Sequence, residues 1–123
     1  MNHIFILLLM IFAHIIDDFC LQGWLASAKQ RDYWIKNAPA KMYRYDYICA
    51  LIIHGFSWTF MMMLPIAFVL NFEIDLSFLA IFFINLVIHA VTDDIKANLK
   101  KINLITDQSI HVLQILITWT MIN

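Results

Sequence analysis

The stretch from His89 to His111, which reads HAVTDDIKANLKKINLITDQSIH, decides how this chain folds. A long apolar run ends at its left edge with the step His89-x3-Asp93, and another run begins at its right edge with the step Asp107-x3-His111. Residues four apart share one face of a helix, so each step places an imidazole and a carboxylate side by side. The stretch therefore predicts two helix ends that each carry a His/Asp pair.

The composition predicts a membrane protein. Of the 123 residues, 63% are hydrophobic and 14% are charged, whereas soluble domains are usually about 45–50% apolar and about 25% charged. The excess lies in long apolar runs. The net charge of −1 argues against nucleic-acid binding, and Cys20 and Cys49 form no metal-binding or disulfide pattern.

Four apolar runs predict membrane-spanning helices, at about residues 4–25, 48–70, 76–92 and 106–122. Crossing about 30 Å of hydrocarbon takes about 20 helical residues, so the last run is a short but workable span. We expect an all-α, polytopic membrane protein with a single four-helix domain, residues 1–123.

The basic residues predict the topology. All eight lysines and arginines lie in two connections, residues 26–47 and 93–105, whereas the hairpin at 71–75 is acidic. The positive-inside rule places both connections in the cytoplasm and both termini outside. Within the first connection, the aromatic and basic segment 24–36 is interpreted as an interfacial helix, with a lid over a site as the alternative.

This topology brings seven ionisable residues to one depth, at the cytoplasmic ends of the helices. Such groups cost several kcal/mol in a membrane unless they are paired. Imidazoles and carboxylates without thiolates suit zinc first, with manganese or iron as alternatives, as one or two ions. A hydrogen-bonded His/Asp network without metal is the other interpretation. The seven candidate ligands are His14, Asp18, His54, His89, Asp93, Asp107 and His111.

Some of the polar residues have simpler individual interpretations. Asp107 follows Thr106 at a helix start, where either can cap free backbone N–H groups. Lys96 can extend its ammonium group to the interface. Asp17 and Asp94 adjoin the better-placed acids and are interpreted as solvated, or as groups that support a ligand.

Four motifs occur in a fixed order along nearly the whole chain. They are His14-x3-Asp18-Phe19-x-Leu21-Gln22, Leu51-x2-His54, His89-x3-Asp93-x2-Lys96 and Asp107-Gln108-x2-His111. This series resembles a family of small phage and bacterial integral membrane proteins catalogued as domain of unknown function 3307. The resemblance implies a protein of a bacterial inner membrane, from a phage or its host, and it implies no particular activity. Asp17 and Asp94 fall outside the family pattern.

The first functional hypothesis is a membrane-embedded, metal-dependent hydrolase whose site faces the cytoplasm. Asp18, Asp93 and Asp107 would act as ligands or general bases, and Lys96 would hold an anionic group such as a phosphate. The depth of the site favours an amphiphilic substrate, such as a phospholipid or an isoprenoid phosphate. Four short helices bury little surface between them, which is compatible with a homodimer.

Three alternatives remain open at this stage. A carrier for divalent cations or protons would use similar His/Asp pairs, but the outer halves of the helices look almost purely apolar and offer no exit path. An oxygen-activating di-iron site would also suit these ligands. A phage protein acting through helix–helix contacts alone would need none of the seven residues.

Overall fold

The computed structural model describes residues 2–122, and in that range the chain is all-helical and contains no β-strand. This confirms the predicted fold class at the level of secondary structure. The segments His3–Leu21, Lys41–Val69 and Leu76–Leu99 are each long and apolar enough to cross a membrane. The helices of this range are α1 (His3–Ile16), α2 (Leu25–Ala28), α3 (Arg31–Asn37), α4 (Asp46–Val69), α5 (Leu76–Asp94) and α6 (Leu104–Thr120).

Helices α1 and α5 both continue as a single π-helical turn, at Asp17–Leu21, which contains Asp18, and at Ile95–Leu99, which begins two residues after Asp93. The first helix therefore ends before residue 25, and α5 runs well into the predicted connection 93–105. A hydropathy pattern marks where apolar residues stop, but a helix continues as long as its backbone remains hydrogen-bonded. The π-helical turn at Ile95–Leu99 ends at Lys100, whose φ of 54° lies in the left-handed region.

Helix α6 begins earlier than the sequence predicts. The side chain of Asn103 accepts a hydrogen bond from the backbone N–H of Thr106 at 2.9 Å and so caps the helix. The interpretation of Asp107 as a cap is therefore wrong. Asp107 lies within the first turn, is 1% exposed, and points into the bundle.

Helix α4 packs against both α1 and α5, and α6 closes the bundle against the same two helices. At Gly55 in α4, an added Cβ would lie 3.2 Å from the carbonyl oxygen of Leu86 in α5. The glycine therefore lets the two backbones approach closely, as small residues do between membrane helices. The apolar core comprises Ile6, Met10, Trp58, Met62, Met63, Ile66, Phe82 and Ile115.

The distribution of polarity is the reverse of that in a soluble domain. Phe12, Ile53, Phe83 and Leu113 expose half or more of their surface, while imidazoles and carboxylates lie inside the bundle. Soluble proteins seldom bury charged groups and seldom surround them with exposed aromatic and aliphatic side chains. This arrangement agrees with association of the helices with a membrane.

Candidate metal centre

Four histidines, one each from α1, α4, α5 and α6, lie at the same end of the bundle. His14, His54, His89 and His111 are each at most 2% exposed. The ring centroids of His89 and His111 lie 4.0 Å apart, those of His54 and His89 5.0 Å, and those of His14 and His111 5.9 Å. The four rings therefore form one continuous cluster.

Three carboxylates enter this cluster. Asp18 Oδ1 lies 3.1 Å from His54 Nε2, while Asp93 Oδ1 and Asp107 Oδ1 each lie 3.3 Å from His111 Nε2. Asp18, Asp93 and Asp107 are spaced four residues from a histidine on their own helix, which is why the helices deliver them to the same place. The structure thus brings together all seven residues selected from the sequence.

On one side of the cluster every hydrogen-bonding role is defined. The indole N–H of Trp58 can only donate, and it donates to His14 Nδ1 at 2.7 Å. His14 Nε2 must then carry the ring proton, which it donates to Gln108 Oε1 at 2.9 Å. The amide nitrogen of Gln108 donates in turn to Asp18 Oδ2 at 3.2 Å and to Asp107 Oδ2 at 3.1 Å.

We call this group the His14 side; it consists of His14, Trp58 and Gln108. Both ring nitrogens of His14 are engaged by protein groups: Nδ1 accepts from Trp58 and lies 3.6 Å from Asp18 Oδ2, and Nε2 donates to Gln108. In this arrangement His14 orients Gln108, and Gln108 holds one oxygen of each of two carboxylates. His14 therefore organises the site without facing the place where an ion would bind.

His89 is in the opposite situation. Neither of its ring nitrogens has a hydrogen-bond partner within residues 2–122, although the ring is completely buried. The ring lies nearly parallel to two neighbouring rings, Trp58 at 4.2 Å and 19° and His111 at 4.0 Å and 26°. Its Nε2 lies 3.5 Å from Asp93 Oδ2 and 3.9 Å from Asp18 Oδ1. A buried nitrogen that faces carboxylate oxygens without a hydrogen bond is costly unless a cation lies between them.

Two overlapping triads could hold a metal ion, and their ligand atoms lie within 4.8 Å of one another. They share His89, and His14 belongs to neither. Nitrogen and oxygen donors without thiolate suit zinc, manganese or iron. The triads are Asp18–His54–His89 and His89–Asp93–His111; we call His54, His89, Asp93 and His111 the His89 side.

The charges of the site also favour a cation. Asp17 is 1% exposed and accepts a hydrogen bond from Ser57 Oγ at 2.6 Å, with His54 Nδ1 3.7 Å from its other oxygen. Asp17 is therefore not solvated. Its carboxylate lies on the Nδ1 side of the His54 ring, which agrees with the interpretation of Asp17 as a group that supports a ligand.

The buried carboxylates of the site are Asp17, Asp18, Asp93 and Asp107. Lys29 and Lys96 contact this group, so with all four carboxylates ionised two negative charges would remain for a divalent ion or for protonated imidazoles to balance.

Lys29 reaches the site from the connection between α1 and α4. Its ammonium group donates to Asp93 Oδ2 at 2.9 Å, and its side chain is only 11% exposed. Asn98 fastens this connection to the end of α5, because it donates to the carbonyl of Lys29 at 3.0 Å and accepts from the N–H of Arg31 at 2.6 Å. The side-chain amide of Asn98 also donates to Asp94 Oδ1 at 2.7 Å. The segment of α2 and α3 therefore covers one edge of the site.

Lys96 occupies a more open edge. Its ammonium group lies 3.5 Å from Asp107 Oδ2, and its side chain is 34% exposed. The long contact and the exposure leave its donors accessible from outside the bundle. An anionic group can therefore approach Lys96 at this edge, next to the buried Asp107.

Sequence analysis missed four residues that shape the site. Trp58 and Ser57 follow His54 by four and three residues, and Gln108 precedes His111 by three, so helical spacing could have identified them. Lys29 carries no such signal, because only the fold brings its loop onto α5.

Comparison of the chain with known protein families, with curated proteins and with solved structures finds no match.

Proposed function

We propose that this chain is a four-span membrane protein that binds one divalent metal ion between its helices and uses it to hydrolyse an amphiphilic, phosphate-containing substrate. His54, His89, His111, Asp18 and Asp93 would hold the ion. The observation that carries the proposal is His89, a fully buried imidazole without a hydrogen-bond partner in the described chain, which faces two carboxylates. A bound divalent ion would satisfy these groups and balance the two remaining negative charges.

A metal ion held by these residues would supply a hydroxide nucleophile by lowering the pKa of a bound water to about 7. The chain's own residues then have distinct tasks. Asp107 has one oxygen without a hydrogen-bond partner in the range 2–122, so it can accept the proton of an attacking water. Lys96 lies beside Asp107 and is partly exposed, which suits it to hold a phosphate oxygen of the substrate.

The proposed topology follows the basic residues. The connections that carry every lysine and arginine lie at the same end as the His/Asp cluster, and the positive-inside rule assigns that end to the cytoplasm. Helix α6, with 17 residues, would complete the fourth span. A site at this depth meets lipid headgroups, which favours a phospholipid or an isoprenoid phosphate as substrate. Membership of the phage and bacterial family remains part of this proposal and rests on the four motifs.

The first experiment measures metal in the detergent-purified protein by elemental analysis, after purification without chelator and in the presence of zinc, manganese or iron. We expect one equivalent of metal in the wild type and none in His89→Ala/His111→Ala. The matched control is His3→Ala, an exposed histidine at the opposite end of the bundle, which should retain the metal. A metal-free wild type would overturn the proposal and leave a proton-linked or structural His/Asp network.

The second experiment tests hydrolysis, with a chromogenic long-chain alkyl phosphodiester in detergent micelles as the probe. We expect turnover that depends on the metal and that falls in Lys96→Ala, because this variant loses the anion contact but keeps the metal. Metal binding without turnover of this probe or of phospholipid vesicles would retain the metal centre and exclude the hydrolase.

A divalent-cation or proton carrier is the second candidate. The sequence argument against it was that the outer halves of the helices are almost purely apolar. The structure corrects this argument, because Asn85, Gln114 and Thr118 are buried in the half of the bundle beyond His111. Uptake of the metal or of protons into proteoliposomes by the wild type would favour the carrier over the hydrolase.

A further inference from the structure

A chain of buried side-chain hydrogen bonds leads from the His89 side toward the opposite end of the bundle. His111 Nδ1 lies 3.1 Å from Gln114 Oε1, and the amide nitrogen of Gln114 lies 3.1 Å from both the carbonyl and the side-chain oxygen of Asn85. The amide nitrogen of Asn85 contacts the carbonyl of Ile81 at 3.1 Å and Thr118 Oγ1 at 2.8 Å. These side chains are at most 6% exposed.

The backbone carbonyls in this chain determine which atom donates in each bond. A carbonyl oxygen can only accept, so the atom of Asn85 that faces Ile81 must be its NH₂ group, and its oxygen then faces Gln114. Gln114 in turn directs its NH₂ group at the carbonyl of Asn85 and its oxygen at His111. An oxygen at that position requires a proton on Nδ1 of His111.

With its proton on Nδ1, the neutral His111 ring presents a lone pair at Nε2. That nitrogen lies within hydrogen-bond distance of Asp93 Oδ1, at 3.3 Å, and 3.3 Å from Asp107 Oδ1, so without a metal a second proton on Nε2 would be held by these acceptors, and a metal ion would replace that proton. Without the amide of Gln114, the ring could place its single proton on Nε2 and donate it to either carboxylate. The ring would then form an ordinary His–Asp hydrogen bond and no longer offer Nε2 to a metal.

We propose that Gln114 and Asn85 are positioning residues that hold the proton of His111 on Nδ1 and thereby keep Nε2 available as a metal ligand. This inference rests on the proposed metal site. Metal-bound histidines usually donate their other ring N–H to a protein acceptor, which fixes the ring and its tautomer. The side chains of the chain beyond His111 are amides and a hydroxyl, which neither bind nor release protons near neutral pH, so a role in orientation suits them better than conduction.

The test uses two variants and a control. Gln114→Leu removes the acceptor, Gln114→Glu in its protonated form restores both the acceptor for Nδ1–H and a donor to Asn85, and Thr118→Val leaves both amides held by backbone carbonyls. Zinc affinity, measured by competition with a chelator, should fall about 10–100-fold in Gln114→Leu. It should recover in large part in Gln114→Glu and stay unchanged in Thr118→Val.

The second readout is the ¹⁵N spectrum of the histidine rings, with His111→Gln used to assign the His111 signals. We expect a protonated Nδ1 on His111 in both the zinc-free and the zinc-loaded wild type. A bare Nδ1, or an unchanged zinc affinity in folded Gln114→Leu, would overturn the inference. A wild type that binds no zinc would instead overturn the proposed function, while the zinc-free spectrum would still decide the position of the proton.

Discussion

The two sides of the His/Asp cluster both contain buried histidines but differ in how their polar atoms are paired. On the His14 side, Trp58, His14 and Gln108 form a directed series of donors that ends on carboxylate oxygens. On the His89 side, ring nitrogens face carboxylate oxygens at 3.1–3.9 Å, and His89 has no hydrogen-bond partner in the described range.

This difference in pairing distinguishes His14, which has a structural role, from His89, which is a candidate metal ligand. Burial alone does not distinguish His14 from His89, because both rings are almost completely enclosed. What distinguishes them is the set of polar atoms that the protein leaves without a partner, since each such atom costs free energy that a bound ion can recover. The comparison therefore predicts different consequences when either ring is replaced.

The largest effects are expected from matched leucine variants of the two histidines. His14→Leu leaves the Trp58 N–H and the Gln108 oxygen unpaired, at about 1–3 kcal/mol each, so the free energy of unfolding should fall by roughly 2–6 kcal/mol. His89→Leu removes no hydrogen bond and should leave the metal-free protein as stable as the wild type or more so. His89→Leu should nevertheless lose the metal. Denaturation in mixed micelles and elemental analysis measure the two quantities.

A third variant covers the case in which His14→Leu does not fold. His14→Gln offers an acceptor to Trp58 and a donor to Gln108, so it should fold and retain the metal. Loss of metal in a folded His14→Gln protein, or retention in His89→Leu, would remove the distinction between the two sides.

An intermediate effect is expected at Lys29, the cation that the fold itself brings to the His89 side. Lys29→Met should destabilise the metal-free protein by about 1.5–3 kcal/mol, because a charged hydrogen bond to Asp93 is lost. The same change makes the site more negative, so zinc affinity should rise by about tenfold, which corresponds to about 1.4 kcal/mol.

The matched control is Lys100→Met, which removes the exposed contact to Asp32, where both side chains are more than 70% exposed. Exposed pairs contribute little, so neither stability nor zinc affinity should change measurably. Equal effects of Lys29→Met and Lys100→Met would show that Lys29 is not part of the site.

The smallest effect is expected at the start of α6, close to the cluster but outside both of its sides. Asn103→Ala removes the cap of this helix and should lower the free energy of unfolding by about 1 kcal/mol. Zinc affinity should stay the same, because Asp107 is held by Gln108 and Lys96 and not by the cap. Chelator competition would reveal any larger involvement of this turn.

The sequence predicted the all-α fold and the segments of the long helices, because hydropathy and helical spacing are local properties. Its errors occurred where backbone hydrogen bonding continues beyond the apolar residues. The π-helical turn at Ile95–Leu99 prolongs α5 into a charged segment, and Asn103 starts α6 before its apolar run begins.

For the site, the sequence identified seven residues that the fold brings together, since all are related by steps of four or by a shared depth in the bundle. It could not assign their separate tasks. His14 and His111 sit in similar His/Asp patterns, yet Trp58 and Gln114 fix their protons on different nitrogens. These hydrogen-bond partners lie on other helices, as Trp58 does, or depend on side-chain directions that residue spacing does not specify, as Gln114 does. Lys29 reaches the site only because of the path that its loop takes in the fold.

The stacking of Trp58 on His89 has an optical consequence. Trp58 is fully buried and lies parallel to an imidazole of the candidate metal centre, whereas Trp24 is exposed. Binding of an ion to that imidazole changes its charge and therefore its ability to quench the excited indole. The fluorescence of Trp58 would thus report occupancy of the centre in the purified protein reconstituted into lipid vesicles, without any added label.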